Sequence, residues 1–90
     1  MRKVRVSDGK LNTTGKRIAQ LRQERNLSQN ELAALLQLRG WNVHKNGISK
    51  IELGGRTTSE IELALLADAL QVPLTDLIQD VMEHGVKLLL

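Results

Sequence analysis

The sequence predicts an all-α fold, and three observations carry that expectation. The chain has no Phe, no Tyr and a single Trp among its 90 residues, so its core must be built from Leu, Ile, Val and Ala. Those aliphatic residues recur at spacings of three and four along most of the chain, the period of a helix with one buried face. Capping Ser and Thr residues, and Gly, Asn and Pro, punctuate the runs. Hydrophobic residues make up 41% of the chain, enough for one small globule and too many for a disordered segment. The expectation is a compact five-helix domain.

Residues 1–13, "MRKVRVSDGKLNT", read as a basic N-terminal arm in which "KVRV" alternates like a short strand and "SDGK" turns. Residues 14–90 form the domain proper. Thr13 or Thr14 caps a first helix over about 14–25, with Ile18, Leu21 and Arg25 along one face. Asn26 is suited to a left-handed stop, because a short polar side chain tolerates that backbone region.

Ser28 and Glu31 are spaced as a capping box, each side chain answering the other's backbone N–H at a helix start. The second helix turns Leu32, Leu35 and Leu36 inward, Ala33 admits a close neighbour, and Gly40 ends it. The third runs through Ile48 and Ile51 to about Leu53, before Gly54 and Gly55. Gly47 within it costs about 1 kcal/mol relative to Ala, which predicts a late start with Asn46 as the cap. Thr57, Thr58 or Ser59 caps a fourth helix whose first-turn Glu60 and Glu62 suit its positive end. Leu63, Leu66, Ala67 and Leu70 form its buried stripe. Val72-Pro73 breaks the chain, and Pro73 or Leu74 opens a fifth helix carrying Leu77, Ile78 and Val81.

The charge is polarised. Residues 1–17 carry six basic side chains against Asp8, residues 39–56 carry Arg39, Lys45, Lys50 and Arg56 against Glu52, and residues 57–90 carry Lys87 against six acids. One end is thereby suited to a polyanion and the other is not. With no cysteine, a disulfide framework and a thiolate metal site are excluded. No apolar run reaches membrane-spanning length and the N-terminus lacks a signal-peptide core, so a soluble, cytoplasmic protein is expected. His44 and His84 stand alone as potential metal ligands, and no nucleophile is placed beside a base. Neither a cofactor nor an enzymatic activity is expected.

Two short helices, the first opening on Gln29 with Ala33 at its fifth position, the second with Ile48 and Ile51 three apart, make a helix-turn-helix pattern. In that arrangement the second helix lies in the DNA major groove while the first crosses the backbone. Lys45, Asn46, Ser49 and Lys50 are the polar residues spaced around the two anchoring isoleucines. Trp41, between the helices, is read as a plug over an apolar groove rather than a platform for stacked bases.

The chain resembles the phage repressor and Cro-like helix-turn-helix regulators over about residues 15–78, through "RIAQLRQERNLSQNELA", "ISKIELG" and "LALLADALQVPLTDL" in family order. That resemblance implies a sequence-specific regulator, a repressor, that reads double-stranded DNA as a homodimer on a two-fold operator. It implies base contacts from Lys45, Asn46, Ser49 and Lys50. Phosphate contacts are expected from Gln29, Asn30, Arg39, His44, Arg56 and Thr57, and an internal ion pair from Arg22 and Glu52. From Gln29 to Ile48 the chain advances 19 residues, more than the family's usual spacing. "QLRGW" is therefore read as extra helix followed by a longer connection. The alternative is a protein-interaction module on the same scaffold, such as an antitoxin or co-regulator.

The C-terminal "HGVKLLL" is too apolar to leave in water on so small a domain. Its three possible homes are the domain's own core, the "KVRV" segment, and a partner subunit. The last is favoured, because a two-fold DNA reader needs a dimer contact away from the groove-facing helices.

Overall fold

The structure, a computed structural model, describes residues 13–78. The N-terminal arm up to Asn12, Val81 and the C-terminal "HGVKLLL" lie outside the described residues. Four helices, α1 (Thr13–Glu24), α2 (Gln29–Leu38), α3 (Lys45–Leu53) and α4 (Glu60–Leu70), are followed by α5, helical over 74–78 within the described part. Among the described residues there is no strand. The all-α expectation holds, and no helix of this part is long and apolar enough to cross a membrane.

One aliphatic core joins the helices. Ile18, Leu32, Leu36, Ile48, Leu66, Leu70 and Leu77 are the largest fully buried side chains, contributed by all five helices. Each such burial is worth about 1.5–3 kcal/mol, so the core rests on few side chains and tolerates few losses. α3 packs on both α1 and α2, while α4 packs on α2 and α1. The helix nominated for DNA is thus held from behind by two others.

Local chemistry sets most boundaries. The Ser28 side chain accepts from the Glu31 N–H and the Glu31 carboxylate accepts from the Ser28 N–H, at 3.0 and 2.7 Å. Of the three candidates for the α4 cap, Ser59 takes the position, and it forms a second capping box with Glu62. Asn26 adopts φ 57°, the left-handed stop expected after α1. α2 ends two residues before Gly40. The Gly40 N–H then donates to the Gln37 carbonyl and the Trp41 N–H to the Leu36 carbonyl, with Gly40 at φ 91°. This paired closure needs a left-handed residue, which glycine supplies without a Cβ penalty.

Two expectations need correction. Arg25 does not join the inward face of α1: it is exposed beyond the last helical residue, and its guanidinium turns back towards the Leu21 carbonyl at 3.4 Å. The half-buried Leu27 packs against the core just after it. Nor does α3 start late with Asn46 as its cap. His44 is the cap, Lys45 the first helical residue, and Gly47 lies inside the first turn. A Cβ on Gly47 would stand 2.8 Å from the Val43 Cγ2, so the missing side chain makes room for a buried valine. The helix accepts the lower propensity of glycine because Val43 closes the core under the long connection.

Candidate nucleic-acid interface

The site is built on how α3 is gripped. Glu52, buried on its inner face, accepts Arg22 Nε at 2.7 Å and Arg22 Nη2 at 3.1 Å. Arg22 also donates through Nη1 to the Leu27 carbonyl at 2.8 Å. The side chains of Arg22 and Glu52 are only 12% and 6% exposed, so the two-pronged geometry operates where water screens little. Gln29, the first residue of α2, donates through Nε2 to the same carboxylate at 3.0 Å. The carboxylate therefore ties α3 to α1 and to the start of α2, and Arg22 extends the tie to the loop after α1.

With Ile48, Ile51 and Glu52 turned inward, the helical period brings Lys45, Asn46, Ser49 and Lys50 onto one arc of roughly 140°, with Asn46 and Lys50 opposite the inward face and Lys45 at its edge beside Glu52. Lys45, Asn46 and Lys50 are exposed and Ser49 is half-buried. Between α2 and the start of α3 opens a cleft of about 240 Å³, lined by Asn30, Ala33, Ala34, Gln37, His44, Lys45 and Asn46. The structure thus brings Asn30 and His44 together with Lys45 and Asn46 at one mouth.

Arg39 and Arg56 are engaged within the fold. Arg39 donates through Nε to Asp68 at 2.7 Å and through Nη1 to the Leu35 carbonyl at 2.9 Å. Arg56 donates through Nη2 to Glu62 at 2.8 Å, and its guanidinium lies 5.5 Å from the centre of the Trp41 ring. Its Nη1 is buried without a hydrogen-bond partner among the described residues. Trp41 is half-buried against the core, and the guanidinium covers its ring as a cation over an aromatic face. Thr57, next along, is exposed.

Sequence reasoning passed over Gln37. Its Nε2 donates to the Val43 carbonyl at 2.8 Å and lies 3.3 Å from His44 Nδ1. The signal was available in principle, as a polar residue just ahead of the helix-ending glycine of an unusually long connection.

The family model described as helix-turn-helix, of the XRE or Cro/C1 type, matches residues 18–77. The chain belongs to this family. It is a DNA-binding helix-turn-helix regulator, from a family that is generally non-enzymatic. No curated protein matches the chain's sequence. The matched span runs from Ile18, the first buried hydrophobic residue of α1, to the buried Leu77 of α5, so the buried hydrophobic core of the described residues falls inside the helix-turn-helix domain.

Proposed function

We propose that this helix-turn-helix regulator binds double-stranded DNA sequence-specifically, as a homodimeric repressor, with α3 in the major groove. The observation that carries the reading is the exposed polar arc of α3, opposite a face locked by Ile48, Ile51 and Glu52. Base edges are read by Lys45, Asn46, Ser49 and Lys50. Asn pairs two-fold with adenine, and Lys donates to guanine. Asn30, His44 and Thr57 are exposed and serve the phosphates. Gln29, Arg39 and Arg56 retain that role only as far as their ties to Glu52, Asp68 and Glu62 allow. Repression would act through occupancy of the operator, and two-fold pairing would place two copies of α3 one helical turn apart.

Selection of binding sites from random duplexes, followed by titration of the selected duplex across salt concentration, tests the reading. Affinity should fall steeply with salt, because each neutralised phosphate releases a counterion. A selected site with two inverted halves is expected. Salt-independent binding, or no enrichment of any site, would favour the protein-interaction module instead.

A further inference from the structure

The longer connection between α2 and α3 does more than span a gap. Gln37, in the last turn of α2, faces back onto the residues that lead into α3, and its amide meets two groups there. The Val43 carbonyl can only accept, so the nitrogen of the amide must be the atom that faces it. That same nitrogen is 3.3 Å from His44 Nδ1. An amide nitrogen carries two hydrogens and no lone pair for a hydrogen bond, so Nδ1 must be the acceptor and the ring proton must sit on Nε2. The other tautomer would set two N–H groups against each other.

Among the described residues, His44 makes no other side-chain hydrogen bond. It occupies the cap position of α3, yet its side chain makes no capping hydrogen bond, and the residue is exposed at the mouth of the cleft beside Lys45 and Asn46. We propose that Gln37 is a positioning residue of the DNA interface: it fixes His44 in the Nε2–H form, so that His44 meets DNA as a hydrogen-bond donor. The inference rests on the DNA-facing reading of α3. The chemistry recognised is a hydrogen-bond acceptor, supplied either by a phosphate oxygen or by an acceptor on a base edge, such as guanine N7 or O6 or thymine O4.

The test has two independent readouts. Ring nitrogen NMR of the free, full-length chain should show a pyrrole-type Nε2 and a pyridine-type Nδ1 for His44. Gln37→Ala should give the averaged shifts of two exchanging tautomers, with unchanged circular dichroism because Gln37 is exposed. Gln37→Glu, which offers an acceptor to Nδ1, should move the proton to Nδ1. On the selected duplex, His44→Ala should weaken binding about tenfold, the loss of one well-placed hydrogen bond, and Gln37→Ala, which leaves the Nε2–H form as a fraction of exchanging tautomers, about twofold. The double variant should lose no more than the larger single loss.

A loss equal on all duplexes assigns the acceptor to phosphate, and a loss confined to sites bearing one base assigns it to that base. A Nδ1–H ring in the unaltered chain, or losses that add in the double variant, would overturn the proposal. An Nε2–H ring in a chain that binds no duplex would instead overturn the DNA reading while the tautomer assignment stood, so the two failures are told apart.

Discussion

Gly47 and Val43 are in contact so close that a methyl group on Gly47 would stand 2.8 Å from Val43 Cγ2. Val43 is buried and β-branched, hence restricted in rotamer. On helix propensity alone Gly47→Ala should stabilise α3 by about 1 kcal/mol. Overpacking a core typically costs about 1–3 kcal/mol, and it should win here. Gly47→Ala is expected to lower Tm. Combining it with Val43→Ala should cost less than the two single losses added together, since the second change removes the methyl that the first one meets. A raised Tm for Gly47→Ala would show that the backbone yields without strain.

The Arg22–Glu52 pair leads to a sharper stability contrast. Glu52→Ala leaves the Arg22 guanidinium mostly buried without its carboxylate and also strips the Gln29 amide of its acceptor. Removing one partner of a buried pair costs about 3–5 kcal/mol, or about 12 °C or more in Tm for a domain of this size. Glu60→Ala removes an exposed charge in the first turn of α4, worth about 0.3–1 kcal/mol. Thermal melts of the two variants should be well separated, and equal midpoints would mean that the pair contributes nothing beyond a surface charge.

Helix ends were legible in the sequence wherever one residue type satisfies backbone groups locally. The Ser28–Glu31 box, Asn26 and the glycines after α2 and α3 act within a single turn, so spacing alone carries them. What escaped depends on residues brought together by the fold. Gly47 looks like a defect until Val43 is seen beneath it. Arg39 and Arg56 look like free cations until Asp68, 29 residues away, and Glu62 are found beside them. The left-handed Gln71 that closes α4 at φ 60° carries no glycine signal at all. Its N–H and that of Val72 still complete the helix end through the Asp68 and Ala67 carbonyls.

A dimer contact is the next consequence of the proposed function. Val86, Leu88, Leu89 and Leu90 are apolar, and burying three or four such side chains is worth several kcal/mol at about 1.5–3 each. A chain ending at Gly85 should sediment as a monomer at micromolar concentration and bind an operator of two half-sites more weakly, with helix content retained. Equal association of the shortened and full chains would assign these leucines to another role.

Sequence preference should separate from overall affinity along the surface of α3. Asn46 and Lys50 are exposed on the arc opposite the core, so neither substitution to Ala should disturb the fold. Each base contact supplies about 1–3 kcal/mol of discrimination, and Asn46→Ala and Lys50→Ala should each relax the preference at one position of the selected site. Gln29→Ala should act differently, since Gln29 sits at the start of α2 and the proposed function gives it a phosphate rather than a base. It should weaken binding to every duplex alike. It should also cost some stability, because its amide donates to Glu52. Arg56→Ala should combine both losses, uncovering Trp41 and freeing Glu62 while removing a cation near the backbone. The decisive comparison is a binding-site selection repeated with Lys45, Asn46 and Lys50 all changed to Ala. A preferred site unchanged from that of the unaltered chain would overturn the assignment of base readout to these α3 side chains, because the readout would then lie elsewhere.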